Sequence, residues 1–493
     1  MPHNVSVPTS GSPARSVFLL PWTVALIEGF STLAVEVIAI RLAIPIVGSS
    51  ITLTGVMLGV VLLALSAGYW RGGALSARWD KARTRIALTR NLLIAAVVYG
   101  AVAFPLEAKT IEKALDLGLS LPLAIGAAAS LLLLLPIYLA SQTVPMLAEL
   151  TNVEGKAGKA SGQVLFFSTV GSVAGGVVTP VWLFPWLGVT HTTFVVCGLL
   201  AGGACVMAMG HPRMLRALGI AGVALAAVVT VSTLAAHGKH RWFSFESAYQ
   251  SIHVITYKAP GSDRRERILI MSGSWSSGVY DDTGETAFTY VKAADQALAE
   301  SRAETVLVIG SAGFTFPRDA AAFPWVRRID AVDVDPVVKE IAERQFLRQP
   351  LPAKVRFLPL SARYAVRKLN RDGQRYGFTF LDAYFARSIP DELVTVEFFR
   401  DARAVSDRVA MNAVLDRGIE SAFARNVLAS FREAFGAVWV TDVKPGDSAM
   451  TNIMVTSWPV AGAARWSGRG TAYRDDRNAA DQDHVAMVWS GRG

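Results

Sequence analysis

Cysteine is nearly absent, with two in 493 residues. Cys197 and Cys205 both lie in an apolar stretch. That scarcity excludes a disulfide scaffold and a cysteine-ligated zinc or iron–sulfur centre, and no metal site is expected. The two thiols read as small packing residues. Charge is scarce as well: 18% of residues are charged and 52% are apolar, against about a quarter charged in a soluble globular chain. Mean hydropathy is +0.37. These values exclude a disordered chain, a collagen and an ordinary soluble enzyme of this length, and they suit a chain that is half membrane and half soluble. An aromatic-and-basic recognition motif is also missing. The net charge of +9 is therefore assigned to loops held against anionic lipid, and no nucleic-acid partner is expected.

What is present divides unevenly. Residues 1–16 are polar, rich in Pro and Ser, and read as a disordered tail. No small-residue cleavage site follows a short apolar core there, so the first apolar run reads as an anchor. Residues 17–236 form a series of apolar runs of roughly 20 residues, the length that crosses about 30 Å of hydrocarbon. Seven spans are expected, near Trp22–Ile46, Thr52–Trp70, Ile86–Phe104, Leu119–Leu139, Val164–Leu187, Thr192–Met209 and Ala217–Ala235. Arg71, Arg78, Lys81, Arg83, Arg85 and Arg90 stand against Asp80 between the second and third spans. By the positive-inside rule that loop is cytoplasmic. Lys156, Lys159, Arg213 and Arg216 agree with this orientation, which puts the N-terminus inside. An odd number of spans then carries the soluble half outside, whereas a nucleoside cosubstrate belongs inside. The expectation is a multi-pass protein of the inner (plasma) membrane; either one span is re-entrant or interfacial and the soluble half is cytoplasmic, the side the chemistry leans to, or the soluble half faces out.

The first span carries Glu28, Glu36 and Arg41. Ionisable groups in hydrocarbon are costly. The two acids are eight apart and share a helix face. They suit either a cation or polyamine site or a buried pairing with Arg41 that orders the bundle. The run Gly171-Ser-Val-Ala-Gly175 has small residues four apart and predicts close helix packing.

Beyond residue 237 short apolar strands alternate with amphipathic helical stretches. Residues 240–300 read as a small β unit, with strands at Ser251–Tyr257 and Arg267–Met271. Residues 301–460 read as a Rossmann-like domain, with strands at Thr305–Ile309, Ile329–Val334, Val355–Leu358, Phe378–Leu381 and Arg408–Val414. The alternation predicts a parallel, doubly wound sheet covered on both faces. Residues 461–493 read as a loose tail. Val306-Leu-Val-Ile-Gly310-Ser-Ala-Gly313 is a strand ending in a small-residue turn, where backbone can approach a ligand. Some twenty residues on, Asp333 and Asp335 close the next strand, the place for an acid that takes ribose hydroxyls.

The order of these segments resembles the spermidine synthases, or polyamine aminopropyltransferases, and in particular their membrane-fused bacterial members. Tyr249-Gln250-Ser-Ile-His-Val is similar to the family's Tyr-Gln strand, and Met271–Tyr280 to its "LDG…Q" hairpin. Thr305–Asp319 is similar to its glycine-loop segment. Val332-Asp-Val-Asp335 is similar to "VEID", Phe380-Leu-Asp382-Ala to a "VDA" strand end, and Leu393–Phe399 to "LYTxEFF"; Asn412 matches the Asn closing the next strand. The resemblance implies an α-helical multispan membrane bundle followed by an α/β Rossmann-like, methyltransferase-type domain with a small N-terminal β unit. It implies decarboxylated S-adenosylmethionine or a related adenosyl compound as cosubstrate, with no permanently bound cofactor, and an amine or polyamine as partner. A homodimer through the soluble domain is carried as a further expectation, beside the lipid membrane.

Carried over residue by residue, the resemblance puts Asp382 as the base. It puts Gln250, Gly310, Gly313, Asp333, Asp335 and Ser361 around the adenosyl ligand, and Tyr249, Tyr290 and Lys292 around the amine. The departures are in the acids. Gly313 stands where the family has the Asp that holds the donor's amine, Ser276 replaces the hairpin Gln, and Ser361 replaces an adenine-side Asp. Lys292 replaces the Glu of Tyr-x-Glu, and Phe385 replaces the second acid of "DSSD". Three readings follow. The first is a membrane-anchored aminopropyltransferase with altered donor or acceptor. The second is a transferase using S-adenosylmethionine or another adenosyl compound. The third is a non-catalytic relative whose bundle transports or senses a cation or polyamine.

Overall fold

A computed structural model describes residues 14–47, 51–152, 156–209, 222, 243–258, 263–443 and 448–490. The N-terminal half is helical: α1 (Ala14–Val47), α2 (Ile51–Ser76), α3 (Lys81–Asp116), α4 (Leu121–Ser141), α5 (Thr143–Thr151), α6 (Ala157–Val178) and α7 (Phe184–Ala208). Among the described residues four segments are long and apolar enough to cross a membrane: Leu20–Ile44, Ile51–Ser76, Leu121–Thr151 and Ala157–Ala208. The expected span Ala217–Ala235 and the tail up to residue 13 lie outside the described residues, while residues 14–16 already belong to α1.

A Cβ on Gly171 would stand 2.1 Å from the Leu26 carbonyl oxygen, and one on Gly175 2.2 Å from that of Phe30. α1 and α6 therefore meet backbone to backbone, which only small residues permit. The bundle has a core at each end. Val24, Leu88, Met146, Val164 and Leu200 pack at one, and Ile38, Leu53, Ile111, Leu121 and Phe184 at the other.

The soluble half begins with an antiparallel sheet of four strands in chain order, β1 (Phe243–Glu246), β2 (Ser251–Lys258), β3 (Arg265–Met271) and β4 (Ser274–Tyr280). Then come α8 (Thr289–Ser301), β5 (Thr305–Ile309), α9 (Thr315–Ala321), β6 (Arg328–Asp333), α10 (Val338–Ile341), β7 (Val355–Pro359), α11 (Ala362–Arg371), β8 (Phe378–Leu381), α12 (Val396–Val405) and β9 (Val409–Asp416). The chain continues through α13 (Ala422–Phe435), β10 (Trp439–Asp442), β11 (Met450–Thr456), β12 (Ala464–Arg465) and α14 (Ala480–Ser490).

The second sheet runs β12-β10-β11-β9-β8-β5-β6-β7. Side chains alternate across it as a strand period of two requires: Val306 and Val308 enter one core, Leu307 and Ile309 the other. Helix ends are fixed locally. Ser421 accepts from the Ala424 amide at 3.1 Å at the start of α13, and Gly436 closes that helix at φ 85°.

Two expectations are corrected. β5 to β9 are parallel, but β10, β11 and β12 join the edge antiparallel. A parallel return needs a crossover of about a dozen residues, whereas β10 ends at Asp442 and β11 starts at Met450. The stretch 461–493 is also no loose tail over its described residues. Tyr473 is buried and its hydroxyl donates to Asp483 at 2.6 Å. Ala480 and Met487 of α14 join the core under β9 and α13, and Val485 joins the bundle. An apolar face on one short helix among Gly, Arg and Asp gave too weak a period to be read.

Candidate active site

In open α/β sheets ligands lie beyond the C-terminal ends of the strands, where strand order reverses. Here β5 has β6 on one side and β8 on the other. Gly310 follows β5 at φ 88°, and a Cβ there would fall 2.3 Å from the Asp382 carbonyl oxygen. Only glycine lets the two strand ends approach this closely. A cavity of about 930 Å³ opens at this point. Gly310, Ala312, Asp333 and Gln250 line one part. Asp382, Tyr290, Asn412 and Asn452 line another, and Trp275, Ser276 and Phe288 of the small β unit and its exit line a third.

Asp382 is held from two directions. Asn412 Nδ2 donates to its Oδ1 at 2.8 Å, and Asn452 Nδ2 in turn donates to Asn412 Oδ1 at 2.9 Å. Tyr290 donates to the same carboxyl group and its hydroxyl lies 3.1 Å from the Ser276 carbonyl. Burial pushes the Asp382 carboxyl up to about 7, against the downward pull of Asn412 and then Tyr290. Burial also pushes the Tyr290 phenol well above its ordinary range, and the Asp382 charge adds to the shift. A carboxyl poised near neutrality at a strand end can accept a proton from a bound amine. Tyr384 is used structurally: its hydroxyl donates to the Asn412 carbonyl at 3.2 Å and accepts the Val414 amide at 2.8 Å.

Asp333 lines the cavity but its oxygens are already engaged. One accepts the Ser311 and Ala312 amides at 3.1 and 3.3 Å, the other the Asp335 amide at 3.1 Å. Burial nevertheless raises its pKa, those three amides opposing the rise. Its first role is to brace the glycine loop, with the remaining lone pairs open to a ligand.

The other sequence candidates divide. Gln250, Gly310, Asp333, Tyr290 and Asp382 line the cavity; Gly313, Asp335, Ser361, Tyr249 and Lys292 do not. Gly313 donates to Ser277 Oγ at 3.1 Å, and a Cβ there would stand 2.5 Å from the Phe346 ring, which fills the space an acid would need. Asp335 is buried and accepts from Ser247 Oγ at 2.6 Å and Gln250 Nε2 at 3.4 Å, joining the small sheet to the large one. Ser361 is the exposed residue before α11. Tyr249 is 41% exposed and is used through its carbonyl. Lys292 lies on the exposed face of α8, so it takes no part in the cavity.

In the bundle Glu28 accepts Ser168 Oγ at 2.8 Å and Thr32 Oγ1 at 3.3 Å. Glu36 is buried too. Arg41 reaches neither acid. It donates to the carbonyls of Tyr249 and, at 3.3 Å, Ser247, and stands 3.7 Å from Glu246. The arginine thus ties α1 to the turn between β1 and β2.

Sequence reasoning missed Asn452, Glu266 and His484, which all line the cavity. Asn452 could have been found only from its pairing opposite Val414, next to Asn412. His484 sits on α14, where burial pushes its imidazole down to about 4 despite the Arg387 backbone.

The fold and the site together define a Rossmann-like domain with the Asp382 carboxyl, pushed up towards neutrality, beside a glycine loop. No family profile matches the chain. It is 31% identical over 169 residues to a polyamine aminopropyltransferase of Vibrio vulnificus (strain CMCP6), covering 33% of this chain and 54% of that protein. The chain thus spans about half the length of the curated relative it matches. Among solved structures, a probable spermidine synthase from Corynebacterium glutamicum ATCC 13032 aligns with TM-score 0.36 at 18% identity, over 43% of this chain and 78% of that one. The spermidine synthase of Thermotoga maritima aligns with TM-score 0.36 at 16% identity, over 50% and 82%.

Proposed function

We propose that the chain is a membrane-anchored transferase that moves an aminopropyl or related group from an adenosyl sulfonium donor to an amine, with Asp382 as the base. The observation that carries the reading is the Asp382 carboxyl, held by Asn412 and Tyr290 beside the Gly310 loop and pushed up to about 7. The curated relative's activity supports it. An ammonium with a pKa near 10 is a poor nucleophile until a proton is removed. The amine nitrogen then bonds to the carbon next to sulfur. The carbon–sulfur bond breaks with its electron pair going to sulfur, and a neutral thioether leaves without needing an acid. Asp382 holds the released proton. Gly310 and Asp333 keep the donor in line, and that positioning supplies much of the remaining acceleration.

The lack of space at Gly313 favours a second reading, in which the donor is another adenosyl sulfonium without the aminopropyl amine to be held. Membrane insertion of the bundle is supported by its four apolar segments and by the exposed Leu62, Leu63, Trp70, Leu131, Phe166 and Trp186 on its surface. The purified full chain, given decarboxylated or ordinary S-adenosylmethionine and a panel of primary amines, tests the readings. Amine-dependent release of methylthioadenosine is expected. Release of S-adenosylhomocysteine instead selects the second reading, and release of neither sinks both.

A further inference from the structure

Strand order divides the cavity. Gly310 and Asp333 end β5 and β6 on one side of Asp382, whereas β9 and β11 lie on the other, beyond β8. The far side is walled by Val414 of β9, Met450 and Asn452 of β11, Phe385 after β8, and His484 and Val488 of α14. With Tyr384, whose hydroxyl is bonded to β9, that set contains no carboxylate, and burial keeps both the Tyr384 phenol and the His484 imidazole neutral. The remaining charges on the cavity wall, Glu266 of β3 and Arg387, are of opposite sign. α14 also turns Val485 into the core at one end of the apolar bundle, where Trp489 packs as well.

We propose that the acceptor is a primary monoamine carrying an apolar body, its nitrogen at Asp382 and its body between β9, β11 and α14. The proposal rests on the transfer reading above and narrows its substrate. A diamine bound this way would place a second ammonium among Val414, Met450 and Val488, where no carboxylate among the described wall residues pairs with it. An alkyl chain there loses only apolar contact with water. The chemical step is unchanged: one nitrogen–carbon bond forms, one carbon–sulfur bond breaks, and the proton passes to Asp382.

The test compares hexylamine with 1,6-diaminohexane, which match in length and differ in the distal charge. With the purified full chain, kcat/KM for hexylamine should exceed that for the diamine by at least roughly tenfold, since an unpaired buried ammonium is costly. Met450→Glu, and independently Val488→Asp, should narrow or reverse that ratio. Binding of both amines, measured by calorimetry with methylthioadenosine present, provides a second readout. Turnover with the diamine equal or better overturns the acceptor class and leaves the transfer reading standing. Selective hexylamine binding without turnover supports the acceptor class and removes the transfer reading. Binding of neither amine overturns the acceptor class.

Discussion

Asp382 has a native pKa of about 7 against an ordinary 3.8, because burial outweighs the hydrogen bonds from Asn412 and Tyr290. Below about pH 3 the carboxyl is protonated in both folded and unfolded chains and contributes nothing to their difference. As pH rises towards 7 the unfolded chain releases its proton first, so stability falls across that window and stays lowered above it. Asp382→Asn keeps an oxygen for Asn412 and removes the charge. Its Tm should exceed the parent's at pH 8, and the gap should close as pH falls to about 3. Activity should move oppositely: the parent rate rises with pH through about 7, and the variant loses roughly 10²–10⁴-fold, the worth of a positioned base. A variant melting with the parent at pH 8 would show that burial does not oppose the charge. Asp382, Gly310 and Asp333 were legible because strand ends and small-residue turns have sequence signatures. Lys292 and Asp335 were not, because one residue of helix phase turns a side chain out of a cavity. An acid two residues from a cavity-lining acid also looks the same in sequence whether it faces the cavity or the protein.

Helices and strands were legible where their period was long and clean. Gly171 and Gly175, four apart, announced the contact that α1 and α6 make. α14 was not legible, because its two apolar edges face two different cores, Met487 inward to the sheet and Val485 to the bundle. The antiparallel edge was missed for a related reason, since strand direction is set by connection length and not by the strand's own residues. The α1–α6 contact makes a sharp prediction. Leucine at Gly171 must push against the Leu26 carbonyl, where even a Cβ would stand 2.1 Å away, whereas Gly198 has nothing within 4 Å. Gly171→Leu should lower Tm by several degrees or abolish a monodisperse solubilised protein, an overpacking cost of about 1–3 kcal/mol or more. Gly198→Leu should be tolerated. Equal behaviour of the two variants would mean that α1 and α6 are not in backbone contact.

The whole molecule has two ends, and its charges choose between them. Arg85 donates to the carbonyls of Met207 at 2.6 Å and Met209 at 3.0 Å, and Lys81 to that of Asn152 at 3.3 Å. The basic loop between α2 and α3 therefore lies at the same end as the close of α7. The soluble half docks at the opposite end, where Arg41 meets the turn after β1, Gly188 faces Glu246, and Val485 joins Ile111 and Leu121. The positive-inside rule puts basic loops in the cytoplasm, and on that rule a domain docked at the opposite end is expected to face the other side. The span count alone also points outside and the nucleoside cosubstrate inside, because the sequence shows the loop charges but not which end of the bundle carries the domain. A reporter inserted after Arg78 should read as cytoplasmic. Sealed right-side-out vesicles should then consume donor and amine supplied from outside, while inverted vesicles stay silent until detergent opens them. Full activity of intact inverted vesicles, with the Arg78 reporter still inside, would place the domain in the cytoplasm and show that it does not dock on the bundle end held by Arg41.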